Sequence, residues 1–277
     1  MFGGPGRLEP AAKPIKPPQG GGLATTTGSA WPDGKGKVYR ATGRVLFTLP
    51  AGNYICSASV ATDQRSDISV VLTAGHCAFD QGTHTFATNW MFIPEFDTRD
   101  TYDCTVAVYG CWTADRLVVH AGFANQTGFT QTATLYDWAF AVVDTNGATS
   151  AQLDATVGSF PIDFRSYATG TPVAAFGYPA GGKYSGNNDL IYCNGGLGTD
   201  PWNLGRTYKL SCDMTGGSSG GPWLTGFDAS GNSGTLASVN SYTYSGIVAM
   251  HGPKFNSATA ATWTEAVGNG TGDTIVP

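Results

Sequence analysis

Two stretches of this chain carry residues whose types and spacing could do chemistry. Thr73-Ala74-Gly75-His76-Cys77 closes an apolar β-rich run with a histidine that the next residue, a cysteine, can clamp. A lone histidine is ordinarily a satisfied core residue. This one has a counterpart far along the chain, Gly216-Gly217-Ser218-Ser219-Gly220-Gly221-Pro222, where two serines stand between glycines. Glycine adopts dihedrals other residues avoid, so such a loop can turn several N–H groups on one point, as stabilisation of an oxyanion requires. Gly/Ser loops also serve as linkers, but Cys212 and Pro222-Trp223-Leu224 bound this one closely. It lacks the Lys-Ser/Thr ending of a phosphate-binding loop. A serine hydroxyl is a weak nucleophile that needs a neighbouring base, and neutral imidazole is suited to that near pH 7. Ser219 and His76 are the candidates for those roles.

The elements that must position them are strands. The 277 residues include 39 Gly and 15 Pro, only 13% are charged, and 41% are hydrophobic. That excludes intrinsic disorder, which needs low hydrophobicity and high charge, and coiled coils or helical repeats, which are rich in Ala, Glu, Lys and Leu. A net charge of −5 with 15 Lys+Arg gives no electrostatic footprint for nucleic acid. No apolar run approaches the roughly 18 residues of a membrane span. Short β-rich runs bounded by Gly, Pro, Asp and Asn are expected at Arg44–Leu49, Tyr54–Val60, Ser69–Ala74 and Ala139–Val143. A second set follows at Pro172–Phe176, Leu190–Cys193, Tyr208–Cys212, Gly234–Val239 and Ser245–Met250. The one helical stretch is Ser257–Val267, with a Ser cap and an Ala-rich interior. Residues 1–37 are a low-complexity Gly/Pro-rich tail or propeptide remnant expected to lie on the surface, and polar Asp144–Ser159 bridges two halves, 38–150 and 151–277.

Six dispersed cysteines, Cys56, Cys77, Cys104, Cys111, Cys193 and Cys212, read as disulfides and hence as a secreted, extracellular protein. Loop closure favours nearest-neighbour pairing. No C-x-x-C pair suggests zinc or redox chemistry. The opening Met1-Phe2-Gly3-Gly4-Pro5-Gly6 has no signal-peptide apolar region, so such a leader has been removed or the route differs. Asp97, Asp100 and Asp103 recur every three residues, whereas an EF-hand loop spaces its ligands by two and ends in Glu. A solvated acidic loop, no metal and no cofactor are expected. Asn125-Gln126-Thr127 and Asn269-Gly270-Thr271 are sequons, meaningful only in a eukaryotic source, and Trp90, Trp112 and Trp263 read as core or cleft-wall aromatics.

The histidine and serine stretches resemble the corresponding motifs of chymotrypsin-fold serine peptidases, and Tyr136-Asp137-Trp138-Ala139 resembles the aspartate motif that lies between them in that family. Phe92-Ile93-Pro94, Gly177-Tyr178-Pro179 and Cys212-Asp213 are similar to the bacterial V8-like, glutamyl-endopeptidase-like branch. The resemblance implies an all-β fold of two six-stranded antiparallel β-barrels with a short C-terminal helix. His76 and Asp137 would come from the first barrel and Ser219 from the second. His76 would act as base, Asp137 would hold its tautomer, and the N–H groups of Gly217 and Ser219 would bind the oxyanion. Asp144 and Asp163 compete with Asp137, but neither immediately precedes a buried apolar strand with the Asp-aromatic-Ala pattern.

Many animal relatives carry Asp where this chain has Ser218, and an uncharged Ser218 cannot pair with a newly cleaved amine. Activity is therefore expected not to depend on that switch. The substrate pocket is expected at Asp213, Thr215, Gly216, Val239, Asn240 and Ser241, with His251 nearby. Asp213 suits basic side chains, whereas His251 or Thr215 suits acidic ones, and each could instead be structural. The implied function is a monomeric, secreted serine endopeptidase acting on proteins or peptides through an acyl-enzyme. The alternatives are a catalytically silent homologue binding protein or glycan in the same cleft, and an esterase, whose G-x-S-x-G motif and Ser-first order differ from this chain.

Overall fold

The computed structural model describes residues 27–96, 102–143 and 151–277; Asp97, Asp100 and Asp144 lie outside them. Six strands close a barrel in the first half: β1 (Thr42–Leu49), β2 (Gly52–Ala61), β3 (Ser69–Thr73), β4 (Thr88–Pro94), β5 (Trp112–His120) and β6 (Ala139–Val143). The order is β5-β4-β1-β2-β3-β6, with β6 pairing back onto β5, all antiparallel. Strands β3 and β6 are apolar throughout apart from Ser69 and Thr73, and every residue of both is buried. That is why their sequences lack the in–out alternation of a half-exposed strand. The C-terminal strand Thr274–Val276 adds to β5 in parallel.

The second half departs from the two-barrel expectation. It contains β7 (Pro172–Gly177), β8 (Ile191–Gly196), β9 (Tyr208–Leu210), β10 (Pro222–Thr225), β11 (Thr235–Val239) and β12 (Met250–Gly252). These form a five-stranded sheet, Ser29–Ala30 with β8-β7-β10-β11, and a separate three-stranded sheet, Gly198–Thr199 with β9-β12. Among the described residues no ladder joins the two, so the fold has one closed six-stranded barrel, with open sheets beside it, and not two barrels. Short strands explain this: β9 and β12 have three residues each, and the β10–β11 register shifts at Trp223/Leu224. The run expected as a strand at Ser245–Met250 is extended only from Met250, because Ser245 and Gly246 form a turn with Gly246 at φ +79°.

The helix spans Ser257–Val267 as expected, but its cap is Asn256: the Asn256 side chain accepts from the Ala258 N–H at 2.8 Å, and Thr259 Oγ1 accepts from the Asn256 N–H at 3.1 Å. This reciprocal box satisfies two donors that a helix start leaves orphaned. No helix among the described residues is long and apolar enough to cross a membrane.

The described end of the N-terminal tail is built into the second half. Ser29–Ala30 pairs with Tyr192 and Ile191 of β8, and the buried Trp31 ring meets Phe176, Tyr192 and Phe227 edge-on at 5.1–5.5 Å. The Trp31 N–H donates to Leu190 O at 2.7 Å, and Val38 N–H to Gly231 O at 2.8 Å. Residues 27–37 are thus a strap laid over the open sheet.

Candidate active site

His76 sits on a single 3₁₀ turn, Gly75–Cys77, immediately after β3. The turn is pinned from both sides. Cys77 is bonded to Cys56 of β2, and Trp90 of β4 donates its indole N–H to Cys77 O at 3.1 Å. Asp137 precedes β6, which is the neighbour of β3, so barrel closure brings the two residues together. The His76 N–H donates to Asp137 Oδ1 at 2.9 Å, and His76 Nδ1 lies 2.8 Å from Oδ2. The Ser241 hydroxyl also donates to Oδ2, at 2.5 Å. Asp137 is wholly buried, and three donors offset the cost of burying a carboxylate. They also aim the imidazole: with Nδ1 facing the carboxylate, Nε2 is left as the free nitrogen. It is buried and has no hydrogen-bond partner among the described residues. The Phe129 ring meets the imidazole edge-on at 5.5 Å.

The serine loop is held by the barrel. Ser57 of β2 donates its N–H to Ser219 O at 2.7 Å and its hydroxyl to Gly217 O at 2.8 Å, and accepts from the Tyr178 N–H at 2.9 Å. Thr73 Oγ1 donates to Ser57 O at 2.9 Å. Gly220 has φ +79°, and a Cβ there would stand 2.1 Å from Thr73 Oγ1 and 2.4 Å from Ser57 O. Only glycine lets the loop approach the barrel this closely. Within the loop, Ser218 N–H donates to Thr215 O at 3.2 Å and Ser218 Oγ to the same oxygen at 2.8 Å. The flanking N–H groups of Gly217 and Ser219 donate to no protein acceptor among the described residues. Two unspent N–H groups thus stand on either side of a spent one, and Ser219 is 7% exposed.

The expected pocket residues divide into two groups. Asp213, Thr215 and Gly216 line a cavity of about 220 Å³ with Cys212, Met214, Thr243, Ile247 and Val248. Asn240 is fully buried and spent on the scaffold. Its Nδ2 donates to Phe176 O at 2.8 Å and Ser218 O at 3.0 Å, its Oδ1 accepts from Trp223 Nε1 at 2.7 Å, and its backbone brackets Gly220 and Gly221. Ser241 faces Asp137, and Val239 lies in the core. Asp213 accepts from Lys183 Nζ at 2.6 Å, Tyr184 OH at 2.8 Å and the Gly28 N–H at 2.8 Å. Partial burial pushes its carboxyl up, but these bonds outweigh it and hold the group below the ordinary carboxylate range.

His251 is also fully buried, stacked on Tyr242 at 4.9 Å, with no hydrogen-bond partner for Nε2 among the described residues. Burial pushes its imidazole down to about 4, against the opposing pull of Asp200. Asp163 is engaged by Arg165 and Tyr167, and Asp103 accepts from Thr105. The six cysteines form Cys56–Cys77, Cys104–Cys111 and Cys193–Cys212. Cys56, His76 and Cys77 converge within 4.8 Å, but the two sulfurs are bonded to each other and offer no thiolate to a metal. Ser57 escapes sequence reasoning: its only signal is adjacency to Cys56, and its role emerges when β2 passes the serine loop.

Residues 56–232 match the model of the trypsin-like peptidase domain. Among solved structures, the protease Anisep from Arthrobacter nicotinovorans is 36% identical with a TM-score of 0.69, covering 82% of this chain and 95% of its own. A thermostable serine protease, AL20, from an extremophilic microorganism is 32% identical with a TM-score of 0.70, covering 84% and 100%. A Glu endopeptidase is 19% identical with a TM-score of 0.65, covering 88% and 98%, a likeness of fold. No curated protein matches the chain.

Proposed function

The chain belongs to the trypsin-like serine peptidases, and from that premise we propose that it hydrolyses peptide bonds as an endopeptidase through His76, Asp137 and Ser219. The observation that carries this is the poise of His76, with Nδ1 held 2.8 Å from a buried carboxylate and Nε2 unspent. In the first step Nε2 takes the proton of the Ser219 hydroxyl as its oxygen bonds to the substrate carbonyl carbon. The resulting oxyanion accepts from the N–H groups of Gly217 and Ser219, each such donor contributing about 3–4 kcal/mol in comparable sites. Collapse of the tetrahedral adduct breaks the C–N bond, and His76 gives its proton to the leaving amine. Water then repeats the sequence on the acyl-enzyme, with His76 as base again. Asp137 stays ionised throughout, orienting the ring and balancing the imidazolium.

The Phe92-Ile93-Pro94 and Gly177-Tyr178-Pro179 motifs and the shared fold of a Glu endopeptidase agree in pointing to the V8-like branch. Three disulfides suit an oxidising compartment, and we read the protein as a secreted monomer acting on proteins or peptides. Treatment with an organophosphorus serine reagent, followed by peptide mapping, tests the mechanism. The adduct should fall on Ser219 in the wild type and be lost in His76→Ala. An adduct on Ser218, or none, would overturn it.

A further inference from the structure

The cavity beside the serine loop has one carboxylate in its lining, Asp213, and that carboxylate is already occupied. Oδ2 holds the Lys183 ammonium, while Oδ1 holds the Tyr184 hydroxyl and the backbone N–H of Gly28, a residue of the N-terminal strap. The strap fits there only because residue 28 has no side chain: a Cβ would stand 2.6 Å from Tyr184 Oη and 2.8 Å from Ile191 Cγ2. One residue further on, Ser29 joins the edge of β8 opposite Tyr192. Strap, sheet edge and cavity wall therefore meet at a single carboxylate.

We propose that Asp213 is a positioning residue that clasps the N-terminal strap to the wall of the specificity pocket, and that the pocket takes an uncharged, apolar side chain. This rests on the serine-endopeptidase reading of the site. A cationic side chain entering the cavity would have to compete with Lys183 for Asp213, at the cost of like-charge repulsion. An anionic one would meet Asp213 itself. The Asp213–Lys183 pair is neutral as a unit. The rest of the lining is dominated by the buried Met214, by Ile247 and Val248, and by Cys212 of the Cys193–Cys212 bridge, in a cavity of about 220 Å³. Thr215 and Thr243 are the remaining side chains able to hydrogen-bond, and Thr215 is already tied to Gly181, donating to its carbonyl at 2.8 Å.

The test uses the full chain, with Gly28→Ala, Asp213→Ala and Asp213→Asn, and two independent readouts. Amide hydrogen exchange should quicken about tenfold or more over residues 27–31 and 213–216 in Gly28→Ala and Asp213→Ala, since a bond to a charged acceptor is lost. Asp213→Asn, which keeps an acceptor oxygen, should exchange nearly as the wild type does. In steady-state assays on peptide anilides that differ only in the residue before the scissile bond, the wild type should favour Leu or Phe over Lys and Glu. Gly28→Ala should raise KM for the favoured substrate about tenfold with kcat changed less than twofold, and phosphonylation of Ser219 by a small reagent without a side chain should keep its wild-type rate. Unchanged exchange in Asp213→Ala overturns the clasp. Preference for Lys or Arg, abolished by Asp213→Asn, overturns both parts. A chain that takes no adduct on Ser219 overturns the peptidase reading and the side-chain preference with it, while exchange still decides the clasp.

Discussion

Asn240→Ala isolates the cost of holding the serine loop in shape. Asn240 is fully buried, and its amide satisfies three groups: Phe176 O at 2.8 Å, Ser218 O at 3.0 Å and Trp223 Nε1 at 2.7 Å. Truncation to Ala removes all three partners and leaves space too small for the loop to refill. The indole N–H has no second bond to fall back on, so it loses about 1–3 kcal/mol. The two carbonyls, which have a second lone pair each, lose less. The sum is about 2–6 kcal/mol, a large share of the 5–15 kcal/mol that ordinarily holds a domain together. For a chain of this size each kcal/mol moves Tm by about 2–4 °C, so a fall of about 4–24 °C is expected by calorimetry with disulfides intact. Ser218 O also loses its brace while the backbone bond from Gly220 N–H to residue 240 O remains, so Ser219 should phosphonylate at least tenfold more slowly at a temperature well below the lowered Tm. A Tm within about 3 °C of wild type, with an unchanged labelling rate, would show that the loop holds itself and that the reasoning is wrong.

Gly220→Ala should cost about 3 kcal/mol or more, because the new methyl meets Thr73 Oγ1 and Ser57 O at a positive φ; urea titration and Ser219 labelling should both register it, and a shift under 1 kcal/mol would refute the close approach. His251 should make stability fall as pH drops. Its folded imidazole titrates near 4 against about 6.5 unfolded, so the unfolded chain binds the proton first. About 3 kcal/mol should be lost between pH 6.5 and 4, in surroundings set by Asp200, Lys209, Tyr242 and Tyr244. His251→Gln should flatten that step in Tm against pH, and parallel curves for the two proteins would rule it out. Mild thiol should open Cys104–Cys111 first, since Cys104 is exposed whereas Cys56, Cys77, Cys193 and Cys212 are buried. Mass mapping of alkylated cysteines should find that pair reduced while activity persists, and prior opening of Cys193–Cys212 would contradict it.

The parts of the fold visible in the sequence are those where one local signal decides the outcome. The helix at 257–267 is Ala-rich and bounded, so its limits are readable, though the Asn256/Thr259 box that starts it goes unnoticed because Ser257 offers a plausible cap of its own. Strands β3 and β6 announce themselves by unbroken apolar runs. Strand β5 does not, because Asp115-Arg116 interrupts it. Yet Arg116 points inward and donates to Ala266 O at 2.8 Å and Gly268 O at 2.6 Å, so a charge that reads as exposed is anchoring the helix end. Strand β4 is blurred by Asn89, which sits at φ +51°. Closure of the second half is not a local property. It depends on whether three-residue strands meet in register, and no motif encodes that. At the site, the three motifs single out His76, Asp137 and Ser219 as candidates, but which neighbours face the cavity depends on strand orientation. Asn240 and Ser241 are spent on hydrogen bonds to Phe176, Ser218 and Trp223 and to Asp137, and neither lines the cavity that Asp213 lines.

Ser57 has a consequence for the order of assembly. It belongs to the closed barrel by sequence and strand pairing, yet three of its bonds are made to Gly217, Tyr178 and Ser219 of the other half. The serine loop thus lacks part of its mould until the barrel has closed and docked. Contacts this distant in sequence are made late in folding, after the loop-closure cost has been met. Every strand of that barrel precedes Ser219 in the chain, so a chain growing from its N-terminus makes the mould before it makes the loop that the mould shapes.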